Sequence, residues 1–273
     1  MRGLIFDIKE MALNDGAGVR TTVFFKGCPL RCIWCHNPEG LLPKPQLYQR
    51  AGCTGCGLCR GGCSHEECAP YGRCLHICPG DFITVAGKYY DASELAEKLE
   101  KRAASYRFLS GGVTFSGGEP LMQWEFLREL ILKLKGKVHV AVETSGFASG
   151  EAFRSIAELC DFVYMDIKLA DENEHIRYTG VSNAVIMQNA KWLMKSGTPH
   201  VFRVPLIPGI TDTVSNLTAI SEFLGDESVE LLPYNKLAAA KYGNVGLEFT
   251  DKITEERKCA DPLSYFKNAV MRK

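Results

Sequence analysis

The sequence lacks the features that would assign it to a membrane or to a nucleic acid. Its 273 residues carry 32 Lys and Arg against 32 Asp and Glu, so no net charge attracts DNA, RNA or an anionic bilayer. No stretch reaches the roughly 18 apolar residues of a transmembrane helix. The first nine residues place charges where a secretion signal needs an apolar run. These absences predict a cytoplasmic protein that binds neither a membrane nor a nucleic acid.

Cysteine, by contrast, is abundant. Twelve cysteines in a chain expected to lie in a reducing compartment indicate metal ligands more than disulfides. The length suffices for one large domain, or for one domain with a small insert. A secreted scaffold held by disulfides is the alternative, and both the length and the missing signal argue against it.

Three cysteines near the amino terminus form a C-x3-C-x2-C spacing on one predicted loop: Cys28, Cys32 and Cys35. Three thiolates can bind three corners of a cubane iron–sulfur cluster and leave the fourth iron open, and an open metal position usually marks chemistry. A zinc loop is the alternative. Zinc prefers C-x2-C pairs and four ligands, and only His36 stands close enough to complete a set. The spacing therefore favours a [4Fe-4S] cluster with an open iron site.

Seven further cysteines lie between residues 52 and 79, in a segment that is rich in glycine and poor in aliphatic side chains. Such a segment cannot fold on a hydrophobic core, so we expect metal to order it. A first bacterial ferredoxin run is complete and consists of Cys53, Cys56, Cys59 and Cys63. A second run would need cysteines at positions 68, 71, 74 and 78 followed by Pro, but position 71 is Tyr.

The ferredoxin rule divides these seven cysteines between two clusters, because the fourth cysteine of each run binds the other cluster. One complete cubane would then take Cys53, Cys56, Cys59 and Cys78. A second cluster, short of one thiolate, would take Cys63, Cys68 and Cys74. It could contain three irons, use His65 or His76 as a ligand, or be absent. The sequence thus predicts one or two further iron–sulfur clusters that relay electrons, with a purely structural role as the alternative.

Outside this segment, short β-branched and aromatic runs alternate with helical patterns. Strands are predicted at residues 21–25, 113–116, 138–143, 162–166, 200–205 and 230–232. A capping box at residues 91–94 predicts a helix to about residue 107, and further helices are predicted at 124–134, 151–159, 185–195, 213–224 and about 255–270. Strand–helix units in series predict an α/β fold with a parallel sheet, either open and doubly wound or a barrel.

Glycine-rich and polar motifs follow the predicted strands. They contain Gly117, Gly118 and Glu119 after the second strand, Glu143 and Ser145 after the third, Asp166 and Lys168 after the fourth, Arg203 in the fifth and Asn235 after the sixth. Each also has an ordinary structural interpretation as a glycine turn, a capped turn or an exposed salt bridge. Because the carboxyl ends of parallel strands meet at one edge, we expect these residues to form one site.

Together these motifs resemble a known family. The cysteine spacing with Trp34 before the third cysteine resembles the radical S-adenosylmethionine superfamily, and residues 15–22, 26–32 and 35–39 resemble the activating enzymes of glycyl radical enzymes. The resemblance covers about residues 15 to 242 and is loose from residue 247 onwards. Ala17 stands where the family usually has Pro. The cysteine-rich insert resembles the longer subgroup of these enzymes, which carry a ferredoxin-like insert.

The resemblance implies a partial (β/α)6 TIM-like barrel at residues 1–51 and 80–273 and a ferredoxin-like insert at residues 52–79. It also implies that the open iron chelates S-adenosylmethionine and that one electron cleaves its S–C5′ bond. The 5′-deoxyadenosyl radical would then take a hydrogen from a glycine of a partner glycyl radical enzyme. An electron donor such as flavodoxin or ferredoxin, a monomeric state and an anaerobic setting are further expectations.

The same resemblance implies roles for the residues at the strand ends. Gly117, Gly118 and Glu119 match the motif that binds the amino group of S-adenosylmethionine, and Asp166 with Lys168 matches a D-x-K motif that holds its methionyl part. Glu143 and Ser145 are near matches to a cofactor-contacting motif. Arg203 would bind the cofactor carboxylate. Asn235 stands where the family commonly has His, so it could contact the cofactor but could not act as an acid or base.

Two other functions stay open at this point. The first is the same cofactor chemistry on a small molecule or a nucleotide, which requires a closed pocket instead of a face for a large protein. The second is a non-enzymatic iron–sulfur electron carrier. That class gives no reason for Gly117, Gly118 and Glu119, or for Asp166 and Lys168, at strand ends.

Overall fold

A computed structural model of the protein describes residues 1–249, 253 and 259–272. Eleven strands lie within these ranges: β1 Arg2–Ala12, β2 Arg20–Phe25, β3 Gln46–Gln49, β4 Ile83–Ala86, β5 Lys88–Asp91, β6 Gly112–Gly117, β7 Val140–Thr144, β8 Phe162–Asp166, β9 His200–Leu206, β10 Val229–Pro233 and β11 Ala269–Met271. Nine of them form one sheet in the order β11-β10-β9-β8-β7-β6-β2-β1-β5, and β3 pairs with β4.

The sheet is parallel from β2 to β11, and β1 runs antiparallel to both β2 and β5. Its edges, β5 and β11, do not pair with each other, so the sheet forms a partial barrel. The helices of the described ranges are α1 Ala92–Glu100, α2 Ala103–Phe108, α3 Trp124–Leu134, α4 Gly150–Ala157, α5 Glu172–Thr179, α6 Ala184–Ser196, α7 Val214–Leu224 and α8 Ala239–Tyr242. None of these is long and apolar enough to cross a lipid bilayer.

The strands and helices pack through one large apolar core. Residues 112–116 of β6 are buried in succession, as expected for a parallel strand that is covered on both faces. On α3, the apolar stripe predicted from the sequence is buried at Leu127, Ile131 and Leu134, each at 0% exposure. Asp91 caps α1 by accepting hydrogen bonds from the backbone N–H groups of Ser93 and Glu94.

The predicted fold class is confirmed, and all six predicted strands are present within a few residues of their expected ends. Two helix predictions were wrong. The helix expected over 91–107 ends at Glu100 and restarts at Ala103. The helix expected at about 255–270 falls partly outside the described residues, at 255–258. Its described remainder is a 3-10 turn at Pro262–Tyr265 followed by β11, because Val229–Leu231 of β10 offers a free edge for parallel pairing.

The cysteine-rich segment lies between the two strands of the small sheet. Gln46 to Gln49 of β3 pairs with Ile83 to Ala86 of β4, so the chain leaves and re-enters the barrel at neighbouring points. Between them, regular structure is limited to two 3-10 helices, Leu58–Arg60 and Glu66–Tyr71. Gly57 precedes the first of these with φ of 81°, a left-handed conformation that glycine adopts without strain.

Candidate functional site

A cavity of about 410 Å³ opens at the carboxyl ends of the parallel strands. Eleven of the twelve residues predicted from the first cysteine group and the strand-end motifs line it: Cys28, Cys32, Cys35, Gly117, Gly118, Glu143, Ser145, Asp166, Lys168, Arg203 and Asn235. The topology therefore brings together motifs that are far apart in the sequence, as parallel strand ends should. The roles expected for each residue toward a cofactor stay predictions.

The cysteine loop, residues 27–38, is held by backbone hydrogen bonds to other parts of the barrel. The N–H of Arg31 donates to the carbonyl of Thr179 at 2.6 Å, and the N–H of Gly27 donates to the carbonyl of Gly40 at 2.7 Å. Trp34 is 5% exposed and packs in a small apolar cluster that includes Leu169. The predicted aromatic before the third cysteine thus anchors the loop.

Burial sets the chemistry of the three thiols in this loop. It raises the pKa of Cys28 and Cys35, and it raises the pKa of Cys32 to about 12. Burial disfavours the thiolate form by more than the nearby Lys168 favours it at Cys32 and Cys35, whereas metal binding compensates for the lost hydration and releases the protons. The loop therefore suits metal coordination better than it suits a free nucleophilic thiolate.

Gly117, which ends β6, and Gly118, which follows it, pack closely against neighbouring backbone. A Cβ on Gly118 would lie 2.3 Å from the carbonyl oxygen of Gly27 and 2.6 Å from that of Gly40. A Cβ on Gly117, which has φ of 123°, would lie 2.4 Å from the backbone of Phe25. The sequence predicted a close approach between these glycines and a ligand. The structure shows that Gly118 approaches Gly27 of the cysteine loop and that Gly117 approaches Phe25 of β2, so a side chain at either position would clash with backbone atoms.

Glu119 does not line the cavity. Its carboxylate is 1% exposed and accepts hydrogen bonds from the Thr144 hydroxyl at 2.6 Å, the Ser145 N–H at 2.8 Å and the Leu121 N–H at 3.1 Å. The Ser145 hydroxyl donates to it as well. The side chain therefore ties the turn after β6 to the turn after β7, and its expected contact with an ammonium group stays a prediction.

A charged network crosses one side of the cavity. Arg203 on β9 lies between Glu143 and Glu230, with its Nη1 2.5 Å from the first carboxylate and its Nε 2.8 Å from the second. Burial alone would lower the pKa of Arg203, but the two carboxylates raise it by a larger amount, so the net shift is upward. Its guanidinium also stacks on the Tyr164 ring at 3.9 Å. Arg203 is thus a fixed cation in this wall.

One donor of this network is not used. Arg203 Nη2 is buried and has no hydrogen-bond partner within the described protein, although buried guanidinium N–H groups are normally paired. This unpaired donor belongs to a residue that lines the cavity.

Lys168 and Asp166, at the end of β8, form an ion pair with 2.7 Å between Nζ and Oδ2. The pair is partly buried beside the cavity, at 12% and 31% side-chain exposure, so the exposed salt bridge considered from the sequence is not what the chain forms.

Asn235 caps a short helix at the edge of the cavity. Its Oδ1 accepts a hydrogen bond from the Leu237 N–H at 2.9 Å and caps the 3-10 helix Lys236–Ala238.

Sequence reasoning missed two charged residues of the site. Glu230 stands inside an otherwise apolar strand, which is an unusual place for a carboxylate and was the available signal. Arg272 follows β11 and lines the cavity, where its Nη1 lies 3.1 Å from Glu230. No local pattern identifies Arg272, because it reaches the site only through the pairing of β11 with β10.

The insert contains a compact group of four donors, formed by Cys63, His65, Cys68 and Cys74, whose ligand atoms all lie within 4.8 Å of one another. Cys68 and Cys74 are buried, at 2% and 3% exposure. Backbone N–H groups, first that of His76, lower the pKa of Cys74 to about 7. His76 instead pairs with Glu67, 2.9 Å away. Of the two histidines proposed from the sequence, His65 therefore joins the cysteines.

Comparison with known proteins gives the family. The model of the radical SAM superfamily matches residues 22–216. The chain is 35% identical over 288 residues to the 4-hydroxyphenylacetate decarboxylase activating enzyme of Clostridioides difficile, covering 94% of this chain and 90% of that protein. It is 36% identical over 274 residues to the choline trimethylamine-lyase activating enzyme of Oleidesulfovibrio alaskensis, covering 91% and 88%.

A solved structure supports the fold alone. A radical SAM methyltransferase from Sphaerobacter thermophilus aligns with a TM-score of 0.55 at 14% identity, covering 93% of this chain and 66% of that one. The matched cysteine loop, the partial barrel and the full-length similarity to relatives agree with one another. The chain belongs to the radical S-adenosylmethionine superfamily and, within it, to the activating enzymes of glycyl radical enzymes.

Proposed function

We propose that this chain cleaves S-adenosylmethionine reductively and installs a radical on a glycine of a partner glycyl radical enzyme. The observation that carries the proposal is that one cavity is lined both by three half-buried cysteines and by the charged groups of Arg203, Glu143, Asp166 and Lys168. The names of the relatives, activating enzymes for a decarboxylase and a lyase, support the class of partner. An electron donor such as flavodoxin or ferredoxin belongs to the same proposal, as do a monomeric state and a cytoplasmic location.

The residues present fit the cofactors that the family implies. Cys28, Cys32 and Cys35 would hold three corners of a [4Fe-4S] cluster, since burial leaves these thiols in need of a cation. Arg203 would donate its unpaired Nη2 to the carboxylate of S-adenosylmethionine. When bound, these groups supply a one-electron cleavage of the S–C5′ bond that yields methionine and a 5′-deoxyadenosyl radical, which removes the hydrogen atom from the glycine Cα.

The remaining charged side chains hold the cavity wall in position and balance its charges. Lys168, held by Asp166, adds a second cation to the wall, while Glu143 and Glu230 keep Arg203 in place. Glu119 fixes the turn of Thr144 and Ser145 beside the same space. None of these groups has to move a proton in a homolytic cleavage, so rigid placement is their contribution.

The division of the chain also enters the proposal. We assign residues 52–79 to a ferredoxin-like insert and residues 1–51 and 80–273 to the barrel, supported by the pairing of β3 with β4 on either side of the insert. A cubane on Cys53, Cys56, Cys59 and Cys78 would pass electrons to the open cluster. Cys78 is prepared for a thiolate role, because its Sγ accepts a hydrogen bond from the Phe82 N–H at 3.3 Å and its pKa is lowered.

The test is anaerobic turnover with S-adenosylmethionine and a reductant, with 5′-deoxyadenosine quantified and the electron paramagnetic resonance spectrum recorded. Adding glycyl radical enzymes of the decarboxylase, dehydratase and lyase classes should give a glycyl radical signal with one of them. Deoxyadenosine without a glycyl radical signal on any protein would favour a small-molecule or nucleotide substrate. Reducible clusters without deoxyadenosine would favour an electron carrier.

A further inference from the structure

The four donor atoms of Cys63, His65, Cys68 and Cys74 form the most compact ligand group in the structure. All four lie within 4.8 Å of one another, and Cys74 Sγ is 3.9 Å from His65 Nδ1. Over residues 1–249, 253 and 259–272, no other group of three or more His, Cys, Asp or Glu meets this condition.

These distances distinguish one metal ion from a cluster. Around a tetrahedral zinc ion, bond lengths near 2.3 Å to sulfur and 2.0–2.1 Å to nitrogen put neighbouring ligand atoms about 3.5–3.8 Å apart. In a cubane, each ligand binds a different iron at a different corner, so the donor atoms stand farther apart. The cysteine loop provides an internal comparison. Cys28, Cys32 and Cys35, which belong to the cluster motif of the family, do not form so compact a group.

The donor types agree with the distances. Three thiolates with one imidazole form one of the closed sets that structural zinc sites use, and tetrahedral zinc needs no inorganic sulfide. The second ferredoxin run lacks the cysteine that Tyr71 replaces, so it cannot supply a fourth thiolate. His65, two residues after Cys63, supplies the fourth ligand atom instead. The Leu75 N–H already donates to Cys68 Sγ at 3.3 Å, as backbone amides do to metal-bound thiolates.

We propose that Cys63, His65, Cys68 and Cys74 bind one zinc ion, and that the insert contains one iron–sulfur cubane and one zinc site. This proposal does not depend on the reaction at the barrel cavity. All four zinc ligands come from the protein, so the ion would fix the chain from Cys63 to Cys74, which has no apolar core of its own. Zinc is not redox-active, so the insert would have one electron-transfer centre, the cubane on Cys53, Cys56, Cys59 and Cys78. The Cys74 N–H, which donates to the Cys59 carbonyl at 2.8 Å, joins the zinc half to the cubane half.

The test measures metal content and coordination rather than activity. Protein is purified anaerobically from cells grown with ordinary iron and zinc, and zinc, iron and acid-labile sulfide are counted per chain. We expect one zinc and roughly eight irons, the content of two cubanes. X-ray absorption at the zinc edge should give three sulfur ligands and one nitrogen ligand at the bond lengths of a tetrahedral site. Roughly twelve irons without zinc, or eight irons without zinc, would overturn the proposal.

Matched variants assign the metal to its residues. His65→Ala should lower the zinc content per chain by at least 10-fold and leave the iron content unchanged. Cys53→Ala should lower the iron content by about four atoms per chain and leave the zinc content unchanged. His76→Ala removes the neighbouring imidazole, whose ring centroid is 4.5 Å from that of His65, and should keep the zinc. His65→Cys should restore zinc binding with four sulfur ligands, which separates ligand loss from misfolding. Full zinc in His65→Ala would refute the site.

Discussion

The chain carries cysteines in two regions that are built in opposite ways. Residues 27–38 are fixed by the barrel itself, through backbone hydrogen bonds to Thr179 and Gly40 and through buried Trp34. Residues 52–79 contribute only Cys68 and Cys74 to the buried apolar side chains of the described chain. The first region therefore presents a site that the protein has already shaped, while the second would depend for its shape on the metals proposed for it.

The difference matches the tasks proposed for the two regions. An open cluster has to present one iron to a second ligand at a defined place, so its loop gains from rigid anchoring. A closed site supplies its own geometry, because four ligands on one ion or cluster fix the chain around them. Four experiments test whether the two regions differ in this way.

The largest expected effect is the loss of one cluster without the other. Cys28→Ala should abolish 5′-deoxyadenosine formation, since the open cluster loses one of three ligands, while the insert keeps its iron and zinc. The matched change in the insert is Cys56→Ala, which should lower iron content and slow reduction of the protein but keep cleavage with a small, strong chemical reductant. Cleavage that persists in Cys28→Ala would contradict the site assignment.

Metal removal should separate the two regions next. After treatment with a chelator, tryptic cleavage after Arg60 and Arg73 in the insert should accelerate by about 10-fold or more, because the apo insert opens locally. Barrel sites such as Arg154 should keep their cleavage rates, since α4 packs in the main core. The rates are read by mass spectrometry. Equal acceleration at both kinds of site would mean that the barrel also depends on metal.

Charge pairing offers a smaller contrast. Arg203→Gln leaves Glu143 without its cation and leaves Glu230 with Arg272 as its one remaining cation among the described residues, so it should destabilise the barrel by about 3–5 kcal/mol. Arg73→Gln in the insert removes one hydrogen bond to Gln49 and should cost about 1 kcal/mol or less. Urea midpoints from far-ultraviolet circular dichroism measure both. The control is Glu230→Gln with Arg203 intact, which should cost less than Arg203→Gln because Glu143 still pairs with the arginine.

Glycine substitution gives the smallest difference. Gly118→Ala places a methyl 2.3 Å from the Gly27 carbonyl and should cost about 1–3 kcal/mol while lowering the iron held by the cysteine loop. Gly72→Ala, at φ of 60° with no atom within 4 Å of the new methyl, should cost only the strain of the left-handed backbone, about 1–2 kcal/mol. Iron analysis and the urea midpoint report both effects. A Gly72→Ala protein that is the less stable of the two would contradict the difference in packing.

The sequence predicted the parts of the fold that local physical chemistry determines. Runs of β-branched residues identified six of the seven parallel strands, and cysteine spacing pointed to the loop that lines the cavity without any knowledge of the packing. Features that depend on distant contacts were missed. The end of the chain forms β11 because β10 offers it an edge, and Glu119 faces Thr144 and Ser145 because a neighbouring turn lies there.

His65 illustrates the same limit within the insert. Spacing could name both His65 and His76 as candidates but could not choose between them, since the choice depends on which ring reaches Cys74. Glu67 engages His76 and leaves His65 beside the thiols. A one-dimensional pattern contains the donor types, and only the folded chain contains their distances.

The hydrogen bond from Arg272 Nη2 to the Asn14 carbonyl, 3.2 Å long, has a consequence for how the molecule is made. It joins positions 258 residues apart at the mouth of the cavity. Because a contact between such distant positions has a high loop-closure cost, we expect it to form late in folding. A chain that has not yet made this contact therefore lacks one part of the wall of the cavity that the cysteine loop also lines.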